Sequence, residues 1–440
     1  MVSPSTNFSN DKNMNKLGIT FYYAAANRYS YNALIGAIEI DPNLSKIPVF
    51  IPRPSNFFKK IRQLFKLRGF EHLIVGLSSS TFQIRKITNI ITKLNTHPKR
   101  KDMTIVAGGP HPSALPQEML DKGVDVVVIG EGEKTFPEII TKISQSSSII
   151  DLRGIAYQTS SGDIVISPKN EPIDLNEYPP FAPTHELYSA IEIARGCPFG
   201  CKFCQVASLF GKKVRFRDPQ IIKNWGKFLL SKRDQWDFRF IAPNAFGYKS
   251  KHPRKPNLGA LEKLLSGLKN LEARKNQRTF FGTFPSEVRP ESVTEDTLQL
   301  VKDYCDNDNL TIGAQSGSPR ILKIIGRGHT IDDVRKAVDL TLSYGFQLNI
   351  DFILGFPEEK AEDQYLTLEF CKELVSKGCK IHMHYLIPLP GTEYYNKKPT
   401  PIVPEIESVL RRWSNEGIIF GSWQYQRDKM YDKYSIDQNG

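Results

Sequence analysis

Three cysteines crowd into a short stretch near the middle of the chain: Cys197, Cys201 and Cys204, in the spacing C-x3-C-x2-C. Thiolates are the usual ligands of iron–sulfur clusters, which usually take four. Because no fourth cysteine lies nearby, a cluster held here would keep one iron open to bind a small molecule directly. A structural zinc site and an incidental group of buried thiols are the alternatives. Zinc sites usually close with a second pair of ligands, whereas the remaining cysteines are isolated: Cys305, Cys371 and Cys379.

The elements around these cysteines alternate between short apolar runs and helical patterns. Six such runs occur in residues 186–395, from SAIEIAR before the cysteines to KIHMHYLIPLP. Apolar runs separated by helices are typical of parallel strands joined by crossover helices. We therefore predict a partial parallel (β/α)6 barrel of the TIM type, with its active face at the carboxyl ends of the strands. The cysteines follow the first of these strands.

Residues 17–150 show the same alternation, and continuous apolar runs such as HLIVGL and DVVVIG indicate strands buried on both faces. We predict an α/β domain of the doubly wound, Rossmann-like type, in which ligands bind beyond the carboxyl ends of the strands. Small or glycine-rich turns follow three of these strands, although Gly130-x-Gly132 alone is typical of an ordinary tight turn. The candidate ligand-binding residues are Ser78, Ser79, Thr81, Gly108, Gly109, Pro110, Gly130, Glu131 and Gly132.

Three further segments flank or join the two predicted domains. Residues 1–16 are predicted to be a disordered tail. Residues 151–185 are rich in proline and acidic side chains and are predicted to be a linker, with a small hairpin around Ser161 and Gly162. Residues 396–440 are an aromatic and basic C-terminal extension.

The composition limits the classes of protein to which this chain can belong. A chain of 440 residues with 40% hydrophobic content can bury two cores, and six cysteines are too few for a disulfide scaffold. No stretch approaches the ~18 apolar residues of a membrane helix, and the polar start lacks the apolar core of a secretory signal. We therefore expect a cytoplasmic protein without a membrane span.

The formal charge of +12 favours an anionic partner or substrate. One basic group is predicted to lie on the solvated face of a surface helix: Lys59, Lys60, Arg62, Lys66 and Arg68. Two other groups follow the first and second barrel strands, where they could attract a phosphate, a carboxylate or a nucleic acid; a plain solvated loop is the alternative, and no dedicated nucleic-acid module is visible. Their members are Lys212, Lys213, Arg215, Arg217, Lys249, Lys251, Arg254 and Lys255.

The cysteine segment resembles the signature of the radical S-adenosylmethionine (SAM) superfamily, since C-x3-C-x-F-C follows a strand here. The resemblance covers residues 186–395 and implies a [4Fe–4S] cluster that cleaves SAM reductively. It implies that Phe203 lies beside the adenine, and that residues at the following strand ends contact SAM, although the usual Gly-Gly-Glu of the second strand is replaced. These residues are Pro243, Asn244, Ala245, Ser286, Glu287, Arg289, Gln315, Ser316, Ser318, Ile353, Gly355 and Glu358.

The stretch from Ala107 to Ile140 resembles the cobalamin-binding domain that precedes the barrel in the B12-binding subgroup of this superfamily. The resemblance implies cobalamin as a further cofactor, held by the strand ends of residues 17–150. One part of the pattern is missing: the motif D-x-H-x-x-G, whose histidine ligates cobalt from below, does not occur, and the expected loop from Ala24 to Arg28 contains no histidine. Cobalamin would therefore bind without this ligand, or the domain would retain only the fold.

Four side chains are candidates for catalysis on the substrate side. His382 and His384 share one face of the sixth predicted strand, because side chains alternate along a strand. Asp351 on the fifth strand and Tyr248 beyond the second are further candidates. A hydrogen-bonded structural role is the alternative for each.

The resemblance implies a radical SAM enzyme that transfers a methyl group or rearranges a radical with the help of cobalamin, and its architecture is closest to an archaeal-type family without an assigned function. A methylthiotransferase-like, RNA-modifying enzyme without cobalamin is a second reading, since the segment from Gln315 to Thr330 is shared with that class. A non-catalytic iron–sulfur or cobalamin-binding regulator is the third. A reductant such as ferredoxin or flavodoxin is expected as a partner.

Overall fold

The computed structural model describes residues 16–233, 235–271 and 276–436. The predicted disordered tail lies outside these residues, apart from Lys16. The chain divides into two compact units, with the boundary between Ser189 and Ala190.

The first unit is an α/β domain around one sheet. Its strands are β1 Leu17–Phe21, β2 Val49–Phe50, β3 His72–Ser78, β4 Met103–Gly108, β5 Val126–Val128, β6 Ile155–Gln158 and β7 Ile164–Ile166. Its helices are α1 Arg28–Glu39, α2 Phe57–Leu67, α3 Ile84–Asn95, α4 Pro110–Ala114, α5 Pro116–Asp121 and α6 Gly132–Ser144. The strand order is β2-β1-β3-β4-β5-β6-β7, and neighbours from β2 to β5 run parallel.

Alternate side chains of the central strands enter two different cores. Leu73, Val75 and Leu77 of β3 pack with α2, α3 and α5 on one face of the sheet, whereas Ile74 packs with α1 and α6 on the other. Burial on both faces explains why these strands read as continuous apolar runs. The predicted doubly wound fold is confirmed.

Part of the predicted linker belongs to the sheet. β6 pairs antiparallel with β5, and β7 pairs antiparallel with β6. The turn between β6 and β7 contains the predicted Ser161 and Gly162, and Gly162 has a φ of +91°. The prediction of a linker is wrong for this stretch, because strands of three and four residues are too short to show a periodic pattern among the polar residues and prolines that flank them.

The second unit is built from parallel strands and crossover helices. Its strands are β8 Ile191–Glu192, β9 Ala194–Arg195, β10 Arg215–Phe216, β11 Gln235–Phe238, β12 Phe240–Ile241, β13 Asn276–Thr279, β14 Asn309–Gln315, β15 Gln347–Leu354, β16 Lys380–Tyr385 and β17 Ile419–Phe420. Its helices are α7 Val206–Phe210, α8 Pro219–Lys232, α9 Leu258–Lys269, α10 Glu295–Tyr304, α11 Pro319–Ile324, α12 Ile331–Ser343, α13 Ala361–Ser376, α14 Pro404–Asn415 and α15 Trp423–Tyr434.

The predicted barrel strands run parallel, although the third predicted run, TFFGTFP, overlaps a strand only at Thr279 of β13. β8 pairs with β12, β11 with β13, and β14, β15, β16 and β17 follow one another in a single sheet. A parallel bridge from Val288 to Ile312 joins the third strand region to β14. Among the residues that the structure describes, β17 does not pair with β8. The predicted partial barrel is thus confirmed as an open parallel sheet.

The predicted C-terminal extension contributes to the barrel. β17 adds a seventh parallel strand beside β16, and Gln426 of α15 accepts a hydrogen bond from the backbone N–H of Tyr385 at 2.8 Å. A strand of two residues leaves no periodic pattern in sequence, so it was not predicted. Within the described residues, no helix is both long and apolar enough to cross a membrane.

Candidate functional site

A short hairpin holds the cysteine loop in place. β9 and β10 pair antiparallel, with Arg195 opposite Arg215, and the loop 196–214 runs between them. Gly196 has a φ of +93°, and a Cβ atom there would lie 2.6 Å from the carbonyl oxygen of Lys213. The N–H of Cys197 donates to the carbonyl of Gly211 at 3.1 Å. Both ends of the loop are therefore fixed by backbone contacts that only glycine permits at position 196.

The three thiols are free and lie below the surface. None of them forms a disulfide, and the Cys201 thiol donates to the carbonyl of Gly326 at 3.7 Å. Burial raises the pKa of Cys197 and raises that of Cys204 to about 11. Thiolates at this site thus need a nearby positive charge, and iron supplies one because a coordinated thiol loses its proton.

The three thiols are compatible with an iron–sulfur cluster. Among the described residues, no three histidine, cysteine or acidic side chains converge closely enough to hold one metal ion. A [4Fe–4S] cluster spreads its thiolates over different irons, so its ligands do not need to converge on one point. Three free thiols in one fixed loop are compatible with such a cluster.

Two buried guanidinium groups face the cysteine loop. The Arg327 side chain lies beside Cys201, donates to the carbonyl of Gly313 at 2.9 Å, and its Nε has no hydrogen-bond partner among the described residues. Arg289 lies over the ring of Phe199 at 3.5 Å from its centroid. Buried positive charge with an unused donor suits an anionic group at this position.

The turn after α11 brings Arg327 to the thiols. The N–H of Lys202 donates to the carbonyl of Ile325 at 3.0 Å. The loop after β16 packs against the other side, where the Gln205 side chain donates to the carbonyl of Pro390 at 2.7 Å. The turn lies within the segment from Gln315 to Thr330 that the sequence analysis noted, but its approach to the thiols was not predicted, because it depends on contacts between residues more than 100 positions apart.

Gly313 on β14 is the point at which three side chains meet. A Cβ atom at this position would lie 2.5 Å from a terminal nitrogen of Arg327, 2.7 Å from Nε2 of Gln315 and 2.9 Å from Oε2 of Glu287. Gln315 itself has a φ of +75°, at an irregular point of the pairing with β15. A side chain at this position would have to displace the ends of these three groups. The predicted SAM contacts Glu287 and Gln315 therefore lie together at the carboxyl end of the barrel strands.

A row of ionisable side chains crosses the interior of the barrel. On β15, even-numbered residues from Leu348 to Leu354 are buried, whereas Asn349, Asp351 and Ile353 are half-buried. The register places Gly313, Asp351, His382 and Phe420 side by side on four neighbouring strands. Because side chains alternate along a strand, this row lies on the face opposite the helix-packed core.

The carboxyl groups of Glu287 and Asp351 are neighbours in this row. Burial raises the pKa of Glu287, the Arg327 guanidinium 4.0 Å away opposes this rise, and Asp351 adds to it. Asp351 Oδ1 also lies 2.9 Å from Nδ1 of His382.

The two predicted histidines lie at the open end of the row. The rings of His382 and His384 lie 4.2 Å apart, and His382 stacks on Phe420 at 4.5 Å. Gly421 permits this stack, because a Cβ there would lie 2.9 Å from Cδ2 of His382. Burial lowers the pKa of His384. Of the four predicted catalytic candidates, Asp351 and both histidines therefore lie together.

The first unit has a small-residue cradle at the ends of β3 and β4. Gly109 has a φ of +95°, and a Cβ there would lie 3.0 Å from both Oγ of Ser78 and the carbonyl of Ser79. The Ser79 hydroxyl is buried and has no hydrogen-bond partner among the described residues. Gly130 has a φ of +85° with open space around its Cβ position. A close backbone approach and an unused buried hydroxyl suit a bound organic cofactor at this edge.

Comparison with known proteins matches both units. A model of the radical SAM superfamily matches residues 191–371, and a model of the B12-binding domain matches residues 60–140. The chain contains a B12-binding domain and a radical SAM domain. Its putative methylthiotransferase relative from Methanocaldococcus jannaschii is 28% identical, over 70% of this chain and 65% of that protein.

Two solved structures share the fold. The cobalamin-dependent radical SAM enzyme OxsB has a TM-score of 0.64 at 17% identity, covering 81% of this chain and 51% of that one. This chain therefore spans about half the length of OxsB. The radical SAM methyltransferase TsrM from Kitasatospora setae has a TM-score of 0.66 at 16% identity, covering 86% of this chain and 73% of that one.

Other predicted SAM contacts of the radical SAM domain have local roles. The Asn244 amide oxygen accepts from the N–H of Arg289 and from the hydroxyl of Ser292, each at 3.2 Å, and the N–H of Ala245 donates to the carbonyl of Glu287 at 3.0 Å. These bonds join the ends of the second and third strands. The half-buried Pro243 lies directly before Asn244 in the chain. The Ser286 hydroxyl is buried without a hydrogen-bond partner among the described residues, as a ligand contact would be.

The predicted adenine side is partly aromatic. The Phe203 ring lies 5.7 Å from that of Phe356. Gly355 has a φ of +90°, and a Cβ there would lie 2.5 Å from the Tyr385 ring. The structure thus packs the glycine against the barrel wall, beside the half-buried Ile353.

Three predicted SAM contacts have their polar groups engaged inside the protein. Ser318 donates to Asp363 at 2.6 Å, and Ser316 lies 3.3 Å from the hydroxyl of Thr367; both serines are fully buried against α13. The Glu358 carboxyl accepts from Tyr394 and Lys397, each at 2.8 Å. These contacts favour structural roles, because each of the three polar groups already has a hydrogen-bond partner within the protein.

Tyr248 and the basic loops differ from the sequence prediction. Tyr248 is fully buried, and its hydroxyl donates to the carbonyl of Arg217 at 2.5 Å, so its surroundings do not support catalysis. Arg217 is itself buried and donates to the carbonyl of Glu192 at 3.0 Å, and Lys249 is paired with Asp218. The anion-attracting charge of these loops is therefore smaller than their sequence implies.

The remaining predicted residues of the B12-binding domain shape its turns. Thr81 Oγ1 lies 3.2 Å from Nδ1 of His111, which follows Gly108, Gly109 and Pro110 at the start of α4. His111 was missed by the sequence analysis, and its ring lies against Glu118 at 3.4 Å. Glu131 accepts from the N–H of Ile173 at 3.1 Å, and a Cβ on Gly132 would lie 2.6 Å from the Leu34 side chain.

Proposed function

We propose that this protein is a cobalamin-dependent radical SAM enzyme that transfers a methyl group to a carbon atom of an anionic or neutral substrate. The observation that carries the proposal is the fixed loop with three free thiols, faced by the unused Nε of Arg327 at the carboxyl ends of the barrel strands. The B12-binding match and the cradle around Gly109 support cobalamin. The name of TsrM, a methyltransferase, supports the reaction class.

Cys197, Cys201 and Cys204 would hold the cluster, and Ser78, Ser79, Gly108 and Gly109 would hold cobalamin. When bound, the cluster with SAM supplies a 5′-deoxyadenosyl radical, and cobalamin supplies a methyl group. Arg327, whose Nε is unused, would hold a carboxylate of the bound ligand, and Arg289, itself paired with Glu291 at 2.6 Å, donates to the Arg327 carbonyl and so supports its position. Phe203 offers a ring face to the adenine.

The row Glu287, Asp351 and His382 handles protons on the substrate side. His382 Nδ1 is held by Asp351 at 2.9 Å, which fixes the ring and leaves Nε2 to give or take a proton. A ferredoxin or flavodoxin is the proposed electron donor.

The cluster assignment is tested by substituting one thiol. Anaerobically reconstituted protein with dithionite and SAM should release 5′-deoxyadenosine, and Cys201→Ala should abolish both the iron content and this release. Cys305→Ala is the matched control, because Cys305 lies at the end of α10, away from the cysteine loop. Equal release of 5′-deoxyadenosine by the Cys201→Ala protein would contradict the assignment, and no release by the parent would favour a non-catalytic regulator.

The cobalamin assignment is tested by incubation with hydroxocobalamin followed by desalting. A retained corrin absorption supports methyl transfer through cobalamin. Its absence, with SAM cleavage intact, would favour the methylthiotransferase reading that the Methanocaldococcus jannaschii relative suggests.

The proton-handling role is tested by comparing two histidines. A radiolabelled methyl group of SAM should enter an acceptor in cell extract, and His382→Gln should lower this transfer about 100-fold or more. 5′-Deoxyadenosine release without acceptor should stay at the parental rate, since His382 does not contact the thiol loop. His384→Gln is the control; an equal loss in both variants would contradict a specific role for His382.

A further inference from the structure

The excess positive charge of the protein lies in one segment. Residues 46–101 contain 13 lysines and arginines and a single acidic residue, Glu71. The rest of the chain contains 46 residues of each sign, because the totals are 59 and 47. The formal charge of +12 is therefore carried entirely by about an eighth of the chain, within the B12-binding domain.

The structure spreads these charges over one surface. The members of this basic face, on or beside α2 and α3, are Arg53, Lys59, Lys60, Arg62, Lys66, Arg68, Arg85, Lys86, Lys93, Lys99 and Lys101. All are exposed except the half-buried Lys60. Among the described residues, only Lys99 has an acidic partner, Asp102 at 2.9 Å. Like charges at this density repel one another, so the face is stabilised by an anion placed over it.

Cation–aromatic contacts join the helices into one continuous face. Lys93 of α3 lies 5.8 Å from the ring of Phe58 on α2. Lys99, after α3, lies 5.9 Å from the ring of Phe65, also on α2. Two half-buried rings of α2 therefore lie beside cations of, or just after, α3.

Two features favour a nucleic acid over the other anionic partners. Seven of the eleven cations are lysines, which are depleted at protein–protein interfaces but bind phosphates well as point charges. The apolar side of α2, formed by Phe57, Ile61 and Leu64, is fully buried in the core. The helix therefore cannot lay that side into a membrane, as an interfacial amphipathic helix does.

We propose that the basic face of the B12-binding domain is a docking surface for a nucleic acid, bound through its phosphate backbone. Lysines and arginines on α2 and α3 replace counterions along the backbone, which gives affinity with little sequence preference. The surface acts independently of the thiol loop and of the cradle around Gly109.

The test uses full-length protein and bulk tRNA as the probe. The variant Lys59→Gln, Lys66→Gln, Lys86→Gln and Lys93→Gln removes four charges from the basic face. The control removes four exposed lysines elsewhere that have no acidic partner in the part of the chain that the structure describes: Lys227→Gln, Lys263→Gln, Lys336→Gln and Lys398→Gln. Both variants have the same net charge, and neither alters the thiol loop, so 5′-deoxyadenosine release should stay unchanged in both.

Affinity for tRNA is measured by fluorescence anisotropy between ~50 and ~200 mM salt. We expect the parent to bind with a steep salt dependence, and the basic-face variant to bind about tenfold or more weakly, with a slope of log K against log salt smaller by about 3. The control variant should bind as the parent does. Failure of the parent to bind tRNA at low salt, or an equal loss in both variants, would overturn the proposal. So would binding to phosphatidylglycerol vesicles in place of tRNA.

Discussion

Individual glycines decide how the charged groups of the site can converge. At Gly313, three polar side chains occupy the space that any Cβ would need. Arg327 in turn lies beside Cys201, so this glycine controls the position of the charge that faces the thiols. An added side-chain volume at Gly313 is therefore expected to disturb the site.

We expect Gly313→Ala to lower 5′-deoxyadenosine release about 100-fold, because displacing Arg327 by about 1 Å misplaces the ligand. The release is measured on anaerobically reconstituted protein, with iron content as a check that the cluster is present. Gly259→Ala near the start of α9 is the matched control, since the nearest atom to its Cβ would be 4.0 Å away. Unchanged release in the Gly313→Ala protein would show that Arg327 has no such role.

Glu359 provides a second prediction at the residue scale. Burial raises its pKa from 4.5 to about 8, against hydrogen bonds from Gly355 and Gln364 that lower it. Between these pH values the folded state holds a proton that the unfolded state has lost, so the free energy of unfolding falls as the pH rises from 4.5 to about 8. Glu359→Gln should flatten this decline and raise the melting temperature near pH 8 by about 3 °C.

Thermal unfolding across this pH range checks the effect. The N–H of Gly355 donates to Oε2 of Glu359 at 2.7 Å, and a glutamine oxygen can accept the same bond. An unchanged pH dependence in the Glu359→Gln protein would show that this carboxyl is ionised in the folded state.

At the scale of elements, the β9–β10 hairpin makes the cysteine loop a rigid ligand frame. Its closure depends on Gly196, whose Cβ position is blocked by the carbonyl of Lys213. The turn after α11 and the loop after β16 then pack against the frame from two sides. We therefore expect backbone strain at either end of this loop to reduce cluster binding.

Gly196→Ala should reduce iron binding, because it adds a clash to the cost of a positive φ, about 1–2 kcal/mol for a residue with a Cβ. Gly211→Ala is the matched control in the same loop, since its φ is +85° but no atom lies within 4 Å of its Cβ position. Iron and sulfide per chain after reconstitution measure the effect. Equal iron loading of the two variants would contradict the role of the clash.

At the scale of the whole molecule, the chain divides into two units, with the cradle around Gly109 in the first and the thiol loop in the second. The charge of the protein is also divided: the excess lies wholly within residues 46–101 of the B12-binding domain.

Gly109→Ala should therefore lower corrin retention about tenfold while leaving iron content unchanged. The reason is that its Cβ would fill the cradle beside Ser78 and Ser79. Gly162→Ala in the β6–β7 turn is the control, with a φ of +91° and only one atom, at 4.0 Å, near its Cβ position. Corrin absorption and iron are measured on the same desalted sample. Loss of both from the Gly109→Ala protein would indicate that the two sites are coupled through folding.

The sequence by itself determined the chemistry and the main frame of this protein. The spacing of Cys197, Cys201 and Cys204 indicates an iron–sulfur site. The alternating apolar runs predict both parallel sheets, because strands buried on two faces form continuous apolar stretches in the sequence. The family resemblance implied that Glu287 and Gln315 lie at strand ends, and side-chain alternation along the strands made Asp351 and His382 candidates.

Only the tertiary structure decided which candidates meet. Arg327 reaches Cys201, and Asp351 joins Glu287 to His382, through strand register and positive-φ turns that link residues far apart in the chain. The same structure buries Tyr248 and Ser318 among other polar groups. Such convergence leaves no periodic signal, because the free energy that selects it comes from contacts that exist only once the sheet has formed.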